Sequence, residues 1–67
     1  MTKTTVIFQN QHYTACKMRD GSLVVTRNNK QQGKRLVGPA ALEWLDAIKT
    51  ADDAREANAL CRAIVNA

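Results

Sequence analysis

The chain has 67 residues, 45% of them apolar, with ten Lys/Arg against six Asp/Glu and a formal net charge of +4. That length allows one domain, buries only about 60% of the surface the unfolded chain exposes, and leaves little room for an enlarged catalytic pocket. No apolar run approaches the ~18 residues of a membrane span, and the apolar stretch in MTKTTVIF is too short for a secretory signal. The expected location is the cytoplasm, for a chain that begins with Met and reads as a complete frame.

Residues 4–9 (TTVIFQ) and 12–19 (HYTACKMR) are rich in β-branched and aromatic residues and read as strands. Asn10-Gln11 suits a short turn between them. Asp20-Gly21 is a stronger hairpin signal, because a type I′ turn needs positive φ at both positions. The third strand is residues 22–27 (SLVVTR). Two-residue turns set Met18 opposite Leu23, Cys16 opposite Val25 and Ile7 opposite Thr14. One face then carries Ile7, Cys16, Met18, Leu23 and Val25, the expected core. The other carries Val6, Phe8, Tyr13, Ala15, Lys17, Arg19 and Val24, two aromatics among cations. A three-residue first turn would invert strand one and move Phe8 to the core.

Residues 28–35 (NNKQQGKR) form a basic, amide-rich stretch expected to be a loop. Leu36-Val37 suits either a short fourth strand or the approach to a helix. Gly38-Pro39 opens that helix, with proline where its missing N–H costs nothing. Ala41, Leu45 and Ile48 share a stripe flanked by Leu42 and Trp44, and the helix ends near Lys49. Thr50 is the expected cap of a second helix over 51–66, with Asp53 completing an approximate capping box. Asp52 and Asp53 favour its positive end. Ala54, Ala57, Leu60, Cys61, Ile64 and Val65 form its apolar side, with Arg55, Arg62 and Asn66 opposite. The expected fold is α+β: one small domain over 1–67, a three-stranded antiparallel β-meander followed by two α-helices. Its core is Ile7, Cys16, Met18, Leu23, Val25, Leu42, Leu45, Ile48, Leu60 and Ile64.

Charge is unevenly spread. Residues 1–38 hold Lys3, Lys17, Arg19, Arg27, Lys30, Lys34 and Arg35 against Asp20 alone. Residues 39–67 hold three cations against Glu43, Asp46, Asp52, Asp53 and Glu56. Such asymmetry points to a polyanionic partner.

Catalysis has no visible constellation. A nucleophile needs a base and an orienting group, and His12 stands without a motif. The glycines are isolated and none opens a phosphate loop. Cys16 and Cys61 stand far apart with no CxxC and a single histidine in the chain, so no metal site or cofactor is expected. Both read as reduced core residues.

HYTACKMRDG resembles the second strand of AP2-type DNA-binding domains, an aromatic–alanine strand ending in Arg-Asp. IKTADDAREANAL resembles the helix of that family. The arm-binding domains of phage integrases share the same three-strand-plus-helix plan. The likeness spans roughly half the chain. It departs at PAALEWLDAI, an added segment, and at Tyr13, which stands where the family's sheet has Trp. The resemblance implies DNA on the sheet face, touched by Lys17, Arg19 and Arg27.

Phosphate neutralisation needs several cations on one surface, and a hairpin with its adjoining loop can provide it. The expected nucleic-acid contacts are Tyr13, Lys17, Arg19, Arg27, Asn28, Lys30, Lys34 and Arg35. Asn29, Gln31 and Gln32 add amides for phosphates or base edges. The alternative is a phage or mobile-element-type interaction module that docks on a host protein or nucleoprotein, anchored by Phe8 and Tyr13. A homodimer would supplement the thin core in either case. Salt separates the two readings, because phosphate binding collapses with salt and an aromatic-anchored interface does not.

Overall fold

The computed structural model describes residues 4–30 and 32–66. Lys3 and Gln31, both named above, lie outside them. The chain forms β1 (Thr5–Gln9), β2 (Tyr13–Lys17), β3 (Leu23–Arg27), β4 (Gln32–Leu36), α1 (Gly38–Lys49) and α2 (Ala54–Asn66). The strands make one antiparallel sheet in the order β1-β2-β3-β4. Both helices cover the same face: α1 packs on β1 and β3, and α2 on β2, β3 and β4. The fold is α+β as expected, with four strands rather than three.

The fourth strand corrects the loop expected over 28–35. Gln32, Gly33, Lys34 and Arg35 have poor strand propensity. The unpaired edge of β3 recruits them all the same, setting Leu36 against Leu23 and Gln32 against Arg27. A charged strand is tolerated there because β4 is an outer edge, where lysine and arginine also discourage further pairing. The basic stretch is therefore a hairpin whose turn begins at Asn28.

The turn at Asp20-Gly21 settles which face of β2 is buried. It is a three-residue loop, Arg19-Asp20-Gly21, closed by Met18 and Ser22. The Met18 N–H donates to the Ser22 carbonyl (2.8 Å) and the Gly21 N–H to the Met18 carbonyl (3.0 Å). Gly21 takes φ +91°, the left-handed residue that ends such a loop. One residue more than a type I′ turn slips β2 by one place against β3. Ala15 now faces Val25 and Cys16 faces Val24. A one-residue slip turns every side chain over. Tyr13 and Ala15 therefore lie under the helices, while Cys16 is on the open face and Met18 lies outside the core cluster.

The first turn is Gln11-His12, not Asn10-Gln11, since the Asn10 N–H donates to the Tyr13 carbonyl (2.9 Å). A register shift between Val6 and Phe8 marks a bulge at Ile7. Phe8 opposes Ala15 on the helix side, and Val6 opposes Cys16 on the open side. Ile7 and Phe8 both pack against the core.

The buried centre is Tyr13, Ala15, Leu23, Val25, Ala41, Leu45, Ile48, Ala57, Cys61 and Ile64. Leu60 and Trp44 pack against its margin. Leu42, expected inside, is 63% exposed. Both cysteines are free, Cys61 in the core and Cys16 half-buried on the opposite face of the sheet. Burial pushes the Cys61 thiol up to about 11.

The cap of α2 is Asp53 rather than Thr50. The Glu56 N–H donates to the Asp53 carboxylate (2.8 Å), and the Glu56 carboxylate accepts from the Asp52 N–H (3.1 Å). Asp53-x-x-Glu56 approximates a capping box, with Glu56 reaching the N–H one residue before the cap, and takes precedence. The Thr50 hydroxyl turns back to the Asp46 carbonyl (2.8 Å) and finishes α1.

Candidate nucleic-acid interface

The sheet layer holds Lys17, Arg19, Arg27, Lys30, Lys34 and Arg35, and Asp20 is the one acid before residue 43. The five other acids stand on the helices and their connection. The two layers thus differ in sign. Within the sheet the cations divide between its two ends. Lys17, Arg19 and Arg35 lie near the β2–β3 turn, and Arg27 and Lys30 near the β3–β4 turn. Four strand residues separate the ends, a span of ~13 Å.

Arg35 is on the open face opposite Val24, and Lys34, half-buried, is on the helix side opposite Val25. Lys17 is exposed at the end of β2, and Arg19 and Lys30 are exposed in turns. Arg35 is partly committed. It donates to the Asp20 carboxylate at 2.6 Å, an exposed ion pair. The same carboxylate accepts from the Ser22 hydroxyl (2.6 Å) and the Ser22 N–H (3.0 Å). Those two bonds from Ser22, more than the nearby guanidinium, hold the Asp20 pKa below the usual carboxylate value.

Two expected contacts have other work. Tyr13 is 6% exposed, so its ring lies in the core and offers no platform for a base. The face inverted by the three-residue turn put it there. Asn28 is a structural clamp. Its N–H donates to the His12 carbonyl (2.9 Å), its side-chain amide to the Asn10 carbonyl (2.9 Å), and its Oδ1 accepts from the Thr14 hydroxyl (2.9 Å). These bonds tie the β3–β4 turn to the β1–β2 turn.

Asn10 extends the clamp to the helix layer. Its Oδ1 accepts from the N–H groups of His12 (2.8 Å) and Tyr13 (2.7 Å), and its Nδ2 donates to Asn58 Oδ1 on α2 (2.9 Å). Beside this amide seam is a polar depression lined by His12, Tyr13, Arg27, Asn58 and Arg62. Arg62 was absent from the expected contacts. Its place on the polar side of α2 was legible, but its approach to Arg27 depends on how α2 crosses the sheet.

The open face carries Val6, Gln9, Thr14, Cys16, Val24, Thr26, Gly33 and Arg35. All three aromatic side chains, Phe8, Tyr13 and Trp44, belong to or pack against the core instead. Among the described residues no cluster of His, Cys, Asp or Glu could hold a metal, and no helix is long and apolar enough to cross a membrane. Comparison with family models, curated proteins and solved structures finds no match for this chain.

Proposed function

We propose that the chain is a non-enzymatic, cytoplasmic nucleic-acid-binding module that grips phosphates with its sheet layer. The observation that carries this reading is the separation of charge between layers. Six cations stand in strands and turns against Asp20, while the helices and their connection hold the remaining acids. A surface of one sign attracts a polyanion and releases its counterions on contact. Base stacking plays no part, because the aromatic rings are turned inward. The same burial leaves the protein-docking reading without Phe8 and Tyr13 as anchors.

The test is fluorescence anisotropy with labelled single- and double-stranded oligonucleotides. About four phosphate contacts predict a loss of roughly 100-fold in affinity between 50 and 200 mM salt. Replacing Lys30, Lys34 and Arg35 together by Ala should weaken binding by at least about tenfold and leave the circular dichroism spectrum unchanged. Absence of binding to every nucleic acid at low salt overturns the reading.

A further inference from the structure

We propose that the depression between the β1–β2 turn, the end of β3 and α2 is a phosphoryl-binding pocket, with Arg27 and Arg62 as its paired anion ligands. Its walls come from three separate parts of the chain: His12 and Tyr13, Arg27, and Asn58 with Arg62 on α2. Two guanidiniums line it and no carboxylate does. Neither arginine makes an ion pair or a side-chain hydrogen bond among the described residues. Two like charges brought to one concavity repel unless an anion sits between them. The fork of a guanidinium matches the oxygens of a phosphoryl group, and two forks can hold one group from both sides.

The amide seam orients a third donor. Asn58 Oδ1 is occupied by the Asn10 side chain at 2.9 Å, which fixes the amide and leaves its Nδ2 hydrogens for an acceptor. Asn58 and Arg62 are four residues apart on α2 and so share one face of the helix. The volume, about 240 Å³, admits a phosphoryl group with water and is too small for a folded partner. Lys30 follows in the adjoining β3–β4 turn, on the same end of the sheet as Arg27. A phosphate seated in the pocket would leave the rest of a chain running toward that lysine.

That the phosphoryl group belongs to a nucleic acid rests on the function proposed above; the anion chemistry of the pocket does not. The experiment follows backbone amide resonances of the whole chain during titration with pyrophosphate. Anisotropy is measured in parallel with oligonucleotides bearing a 5′-phosphate or a 5′-hydroxyl. Pyrophosphate should shift the amides of Arg27, Asn58 and Arg62. Arg62→Ala should lower oligonucleotide affinity about tenfold, and Arg62→Lys should restore little, because lysine keeps the charge and loses the fork. Lys49→Ala, a control cation at the end of α1, should change affinity less than twofold. A gain from the 5′-phosphate would assign the pocket to a chain end, and equal affinities would assign it to a backbone phosphate.

The pocket is overturned if pyrophosphate shifts nothing there and Arg62→Ala binds as Lys49→Ala does. Retained salt-sensitive binding would then leave the sheet-layer reading standing. Arg62-dependent pyrophosphate shifts without oligonucleotide binding would uphold the pocket and remove the nucleic acid.

Discussion

Leu42 and Leu45 stand three positions apart on α1 and have opposite surroundings. Leu45 is 8% exposed beside Ala41 and Ile48, while Leu42 is 63% exposed. Truncating a buried leucine to alanine costs about 2–5 kcal/mol. A domain of this size holds only about 3–5 kcal/mol in its core. Leu45→Ala is therefore expected to leave the chain largely unfolded at 25 °C, and Leu42→Ala to change the unfolding free energy measured in urea by no more than about 0.5 kcal/mol. Equal losses in the two variants would show that Leu42 is covered in solution. The stripe Ala41-Leu45-Ile48 was legible in the sequence because helical spacing alone defines it. Leu42 lies on its flank, where periodicity does not decide burial. The bonds that Asn28 makes within the fold could not be read for a different reason. A polar turn residue looks the same in sequence whether it faces a ligand or ties two hairpins together.

At the scale of elements, the β2–β3 turn decides most of what was legible and what was not. The strands β1, β2 and β3 and both helices follow from composition and helical period. The faces of β2 do not, because Asp20-Gly21 serves equally in a two-residue and a three-residue loop. The aspartate favours the longer one here by accepting two hydrogen bonds from Ser22. Gly21 at φ +91° is the residue that loop requires. Gly21→Ala should cost about 1–2 kcal/mol, the penalty for a Cβ in the left-handed region, measured by urea unfolding. Nothing lies within 4 Å of the Cβ that alanine would add, so the loss is conformational rather than steric crowding by a neighbour. A neutral substitution would mean that the loop relaxes to another form. β4 could not be read from its own residues, since its pairing is supplied by β3 and its composition by the demands of an edge.

For the whole molecule, the dominant feature is a basic sheet layer backed by helices that, with the connection between them, carry most of the acids. Asp20 is the exception, set among cations and paired with Arg35. Asp20→Asn removes the one negative charge of the layer and releases that arginine. Affinity for an oligonucleotide at low salt should rise, by roughly two- to fivefold if the pair is an ordinary exposed one. A fall in affinity would show that the Asp20–Arg35 pair organises the surface rather than attenuating it. The contribution of the Asp20 carboxylate to stability has a definite pH dependence. Its folded pKa lies below the ordinary aspartate value, so the contribution is present above that ordinary value and is lost as pH falls through the folded pKa. The charge asymmetry was plain in the sequence. Its division between the two ends of the sheet was not, because the register of β4 sets it.

The two margins of the sheet are unlike in one further respect. β4 presents Lys34 and Arg35, whereas β1, TVIFQ, contains no charged residue and is interrupted by the bulge at Ile7. Charges and bulges are both means by which proteins keep sheet margins from pairing with other chains. The bulge is thus the main guard on β1. A change that straightened this strand would open a short, uncharged template for fibrillar self-assembly, while the basic margin stayed protected by repulsion between copies.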